Sequence, residues 1–149
     1  ITAGKIAAGG VSATNQIADG IITPAKLVSQ PTIINVRVFD ENTFVSGGTN
    51  KAQIFVPYDL DGAVLSKVDI GVVTPSTAKA ISVQVYRLDT SANILSTAAS
   101  LPINIYNTCV GGTRGVGSTT VTKGQRLRID VTYAGNTAKG LDVQLVFVK

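Results

Sequence analysis

From Thr32 onward, apolar and polar residues alternate with a period of two, and turn-forming residues close each alternating run. Ile34, Val36 and Val38 share one face of a first strand. Residues 53–56 make a second, stopped by Pro57, and residues 64–73 a third, ending at Thr74-Pro75. Ile81, Val83 and Val85 alternate with Ser82, Gln84 and Tyr86, and a turn at 89–93 leads to a short strand near Ile94 and Leu95. Ile103, Ile105, Asn107 and Cys109 share a face, and residues 116–122 read as a short edge strand. Leu127, Ile129, Val131 and Tyr133 alternate with Arg126, Arg128, Asp130 and Thr132, which assigns Tyr133 to the core side. Leu141, Val143, Leu145 and Phe147 form the last run. Successive side chains of a strand point to opposite faces, so each run offers one apolar face to a core. Asp61-Gly62, Lys123-Gly124 and the stretch 136–140 supply turns, the first read as a hairpin. About eight strands at regular spacing, with no helix, predict an all-β fold: an antiparallel β-sandwich of jelly-roll type over residues 31–149. An immunoglobulin-like sandwich is the alternative, but its buried Trp and paired Cys are missing.

The first 30 residues follow a different rule. Apolar residues stand at Ile1, Ile6 and Val11, and again at Ile17, Ile22 and Leu27, a stride of five within each run. Ile1-Thr2-Ala3-Gly4-Lys5-Ile6 returns as Ile22-Thr23-Pro24-Ala25-Lys26-Leu27, and Ile6-Ala7-Ala8-Gly9 returns as Ile17-Ala18-Asp19-Gly20. Five residues advance about 500° around an α-helix, which scatters the apolar positions. In a strand an odd stride flips them between faces. Pro24 and the glycines also oppose a helix interior. Units this short cannot bury their own isoleucines. They need neighbouring units, other copies of the chain or a partner surface. Residues 1–30 are therefore read as an extended repeat arm or stalk ordered by assembly, and a flexible linker is the competing reading. Val28-Ser29-Gln30-Pro31 is its hinge to the domain. The chain has no methionine and opens inside a repeat unit, so further units are expected upstream.

Composition narrows the function. Hydrophobic residues make up 44% and charged residues only 15%. The charged share is below the ~25% usual for soluble domains, as expected where subunits cover much of the surface. No apolar run is long enough for a membrane-spanning helix. The net charge of +4 comes from scattered Lys and Arg with few aromatics, which disfavours nucleic-acid binding. With one cysteine, Cys109, no intrachain disulfide is available, and its apolar surroundings fit an inert thiol.

Candidate chemistry is sparse. Without histidine the chain has no Ser-His-Asp or Cys-His catalysis and no His-ligated metal site. A paired-carboxylate hydrolase needs two carboxylates converging on one cleft, and Asp59 and Asp61 are the closest candidates, most simply part of a turn. A surface calcium site using them with Asp40-Glu41 is the residual option. The loop Gly111, Gly112, Thr113, Arg114, Gly115 lacks the Gly-Lys-Ser/Thr of a phosphate loop. It reads instead as a loop at one end of the sandwich, the candidate binding loop, with Arg114 placed to meet an acidic partner. Arg126, Arg128 and Asp130 share a strand face, read as solvated or subunit-facing. Tyr58 and Tyr86 are candidates for exposure. No enzyme activity and no cofactor is expected.

Two stretches carry a resemblance. The N-terminal pattern Ile-Thr-x-x-Lys-Ile-Ala-x-Gly, with Ile17-Ala18-Asp19-Gly20-Ile21-Ile22-Thr23, resembles repeats of bacteriophage fibre and virion-surface proteins. Lys123-Gly124-Gln125-Arg126-Leu127-Arg128-Ile129-Asp130-Val131, continuing to Gly140-Leu141-Asp142-Val143, resembles the closing strands of jelly-roll domains in phage head fibres and capsid decoration proteins. The resemblance implies a homotrimer on the virion surface, its arms wrapped together or docked on capsid or tail proteins and its jelly rolls forming a knob. The function it implies is capsid decoration or a head fibre. The alternatives are a tail-fibre or spike tip recognising a bacterial surface glycan, and an extracellular filament subunit that donates its arm to a neighbour's sheet edge.

Overall fold

The computed structural model describes residues 30–108 and 120–149. The six apolar arm positions, Cys109 and the glycine-rich loop at 111–117 lie outside the described residues. Within them run nine strands: β1 (Thr32–Phe44), β2 (Gly48–Phe55), β3 (Val64–Thr74), β4 (Ile81–Arg87), β5 (Ala92–Asn93), β6 (Ala99–Leu101), β7 (Asn107–Thr108), β8 (Arg126–Ala134) and β9 (Lys139–Val148). One short 3₁₀ turn, Tyr58–Leu60, follows β2. The expectation of an all-β, antiparallel, two-sheet domain holds for the described residues.

The strands divide into two antiparallel sheets. The first has the order β1-β9-β3-β7, the second β2-β8-β4-β5, with β6 also pairing β4. The last two strands of the chain thus occupy the interior of each sheet. In β9, Leu141, Val143, Leu145 and Phe147 are buried inside while Asp142, Gln144 and Val146 face outward. In β8, Leu127, Ile129 and Val131 do the same for the second sheet. These residues meet Leu65, Val68, Ile70, Val72, Ile81, Val83 and Val85 in one continuous core. Burial of this apolar surface is the main force holding the sheets face to face.

The structure corrects several local expectations. Tyr133 is 67% exposed, not core-facing. The pairing of β8 with β4 shifts between Ser82↔Tyr133 and Val83↔Val131, so Thr132 is an extra residue and everything beyond it changes face. Among the described residues of the stretch read as alternating from Ile103 to Cys109, only Asn107–Thr108 is strand. Ile103 and Ile105 are exposed, and Asn104 has φ +59, which breaks the extended run. Asp61-Gly62 does turn the chain, but the flanking strands β2 and β3 lie in different sheets, so it is a crossover rather than a hairpin. The last turn spans residues 135–138, with Gly135 at φ +72, and Gly140 stands inside β9. β6 was not expected from the alternation. It joins β4 through Ile81↔Leu101 and Val83↔Ala99.

Gln84 illustrates how a polar residue belongs in this core. It sits on the outward parity of β4 yet is only 7% exposed, because residues 94–95 fold over it. Its amide donates to the Leu95 carbonyl at 3.0 Å, and its Oε1 accepts the Leu95 N–H at 3.2 Å. The side chain thereby acts as a missing piece of sheet and satisfies both backbone groups.

Candidate functional site

The described chain starts at Gln30, directly ahead of β1, so the arm joins the domain at this strand. β1 is an outer strand of the first sheet and β2 an outer strand of the second, and both lie on one side of the sandwich. Among the described residues, that side is not closed. Ile34, Val36, Val38 and Phe39 of β1 and Ala52 of β2 pack on the core but are only half-buried. The equivalent positions on β9 are fully covered. On the outer face of the same strand Ile33, opposite Val146, is 50% exposed, and at its end Phe44 is 59% exposed. Strand β1 runs for 13 residues, and among the described residues β9 is its sole paired neighbour. A long outer strand with uncovered apolar side chains is a template for association unless something covers it.

The alternation of Ile34, Val36 and Val38 predicted part of this edge. Phe39 was missed. The pairing shifts between Arg37↔Asp142 and Phe39↔Leu141, which makes Val38 an extra residue and lets both Val38 and Phe39 reach the core. The two adjacent large apolar residues were the signal in the sequence.

The Arg128 and Asp130 pair is a local clamp rather than an open surface. Asp130 is 6% exposed and accepts Arg128 Nε at 2.9 Å. Its Oδ1 also accepts the backbone N–H of Asn50 at 2.7 Å, tying β2 to β8. The Arg128 guanidinium lies 3.8 Å from the Tyr86 ring centre, a stacking contact that suits the planar cation. Arg126 remains exposed.

The other sequence candidates fall apart or outside. The Asp61 carboxylate accepts the backbone N–H of Lys123 at 3.0 Å, a turn contact. Asp59, Asp61, Asp40 and Glu41 do not gather into a metal-holding group, and no group of three or more His, Cys, Asp or Glu does so among the described residues. Tyr58 is exposed, with Lys123 over its ring at 4.5 Å. Gly111, Gly112, Thr113, Arg114 and Gly115 lie outside the described residues, as do Ile1, Ile6, Val11, Ile17, Ile22 and Leu27. No helix among the described residues is long and apolar enough to cross a membrane.

Comparison of this chain with family models, curated proteins and solved structures yields no match. Any functional reading therefore rests on the residues themselves.

Proposed function

We propose that this chain is a non-enzymatic structural protein of a bacteriophage virion surface, a homotrimeric capsid decoration or head-fibre protein. The repeat arm trimerises or docks on the particle, and the β domain projects outward. The observation that carries the reading is the open edge at β1, the strand that the arm runs into. An arm that cannot bury its own isoleucines adjoins a domain edge that leaves its own apolar residues half-covered. Both deficits are met by packing identical chains around an axis, and closed rings are the usual solution for identical subunits.

The strand order supports the fold that goes with this reading. The chain crosses between the sheets at most connections, giving β1-β9-β3-β7 against β2-β8-β4 with β5 and β6. Counting β5 and β6 as one interrupted strand leaves eight strands in two sheets of four, the arrangement of a jelly roll.

The arm provides the test. Ile6→Asp combined with Ile17→Asp places a charge in both repeat runs at positions the proposal buries. Light scattering is expected to show the solution mass falling from three chains to one. The far-UV circular dichroism of the β domain should stay unchanged. A double variant that keeps the trimer mass would overturn trimerisation by the arm and leave it only docking on the particle.

A further inference from the structure

A ring of three identical chains cannot be closed by one surface patch meeting itself. Each chain has to offer two different patches, one to each neighbour. The domain carries two. The first is the open side at β1. The second lies at the other end of the first sheet, whose strand order is β1-β9-β3-β7. There the chain from Pro102 to Thr108 runs along β3. Asn104 N–H donates to the Ser76 carbonyl and Val72 N–H to the Tyr106 carbonyl, both at 2.8 Å. The register that sets Gly71 opposite Asn107 brings Ile105 level with Val73. Val73, Ile103, Ile105 and Tyr106 are all exposed, Tyr106 most of all at 60%. Four neighbouring apolar side chains left in water mark a contact surface.

The two patches stand at one level of the sandwich. Phe39 pairs with Leu141 and Leu141 with Val72, which bonds to Tyr106, so Phe39 and Tyr106 end the same row across the sheet. Three strand spacings of ~4.8 Å hold those ends about 14 Å apart, too far to touch within one domain. Rotation about an axis along the strands carries Tyr106 of one chain to Phe39 of the next without a change of height. The shapes also differ in the sense required. Ile34, Val36, Val38 and Phe39 are half-buried between the sheets, whereas residues 103–106 project.

Opposite charges flank the two patches. Asp40 and Glu41 follow Phe39, are exposed and form no ion pair among the described residues. Lys51, on the same side, is occupied by the Phe39 ring at 5.8 Å and by Ser46 Oγ at 3.2 Å. Beside the second patch Lys79 is exposed and likewise forms no ion pair among the described residues. Its backbone N–H donates to Oγ of Ser76, the residue that also holds Asn104. Complementary charges at the rim select the partner and fix its register.

We propose that in the trimer the corner made by Val73, Ile103, Ile105 and Tyr106 of one domain packs on the open side at β1 of the next, with Lys79 facing Asp40 and Glu41. This head-to-tail contact rests on the assembly reading and names the surface that covers the open edge. The arms hold the domains at high effective concentration, and the contact is too weak to join domains that lack them.

The test is carbodiimide cross-linking of the full chain, using light and heavy isotope-labelled copies dissociated and reassembled together, with mixed trimers verified by native mass spectrometry. The reagent activates a carboxylate, the lysine amine displaces it to form an amide, and the carbodiimide leaves as a urea. Lys79 joined to Asp40 or Glu41 is expected in peptides that carry both labels. Ile105→Asp should lower the yield of that product about tenfold or more, because it puts a charge where the contact is apolar. Its side chain is exposed in the parent, so the circular dichroism should not change, and the arms should keep its mass at three chains. Trimers that give no such product overturn the contact and leave assembly by the arm standing. Product confined to peptides of a single label places the lysine and carboxylate within one chain and overturns it too, as does an unchanged yield in Ile105→Asp. A chain that never forms trimers removes the contact together with the assembly reading.

Discussion

Phe147→Ala is expected to destabilise the domain by about 3–5 kcal/mol and to lower its melting temperature by roughly 10–20 °C. The ring is 1% exposed and is the largest of the fully buried side chains. It stands near the end of β9, where its backbone faces Thr32 of β1 on one side and Leu65 of β3 on the other. Truncation therefore opens a cavity at a point where three strands meet, and the central strand cannot shift to fill it without breaking two ladders. Thermal unfolding followed by circular dichroism checks the value. A loss below about 1 kcal/mol would mean that the site collapses freely, and would count against the rigid packing described here.

Gly140→Ala is the second large effect, expected at about 2–4 kcal/mol. Gly140 has φ +60, which alanine adopts at a cost of about 1–2 kcal/mol. Its added Cβ would also lie 2.8 Å from Val73 Cγ2 and 2.9 Å from Glu41 Cα. The Glu41 atom is backbone and cannot rotate aside, so β1 itself has to move, an overpacking loss of about 1–3 kcal/mol. Gly124→Ala is the matched control. Gly124 has φ +81 but nothing within 4 Å of the added atom, so only the conformational part applies. Urea midpoints of the two variants measure the difference. Equal losses would remove the close approach of β1 to β9 as a feature of the fold.

Strands β9 and β8 together show what alternation does and does not reveal. Leu141, Val143, Leu145 and Phe147 were identified as core from their period alone, because β9 keeps a regular register from Leu141 to Phe147 on its own side. The same rule failed at Tyr133, where one extra residue in β8 reverses the face of everything after it. A bulge is a property of two paired strands, and a single strand's sequence does not record it. Likewise, only the register sets Asn107, Asp142 and Gln144 around Gly71 on β3. Residue 71, residue 107 and the stretch 142–144 lie far apart in the chain, and no local pattern joins them. The apolar positions of β1 were visible, but their incomplete burial was not, since exposure depends on which neighbours cover an edge.

The proposed assembly is tested most directly by the solution mass of the whole chain and of a shortened chain beginning at Thr32, both measured by light scattering across a range of concentrations. The account predicts three chain masses for the whole chain and one for the shortened chain. A trimer in both would move the interface from the arm to the β domain, where the open edge at β1 would have to supply it. A whole chain that stays a single chain at every concentration would contradict the proposal outright.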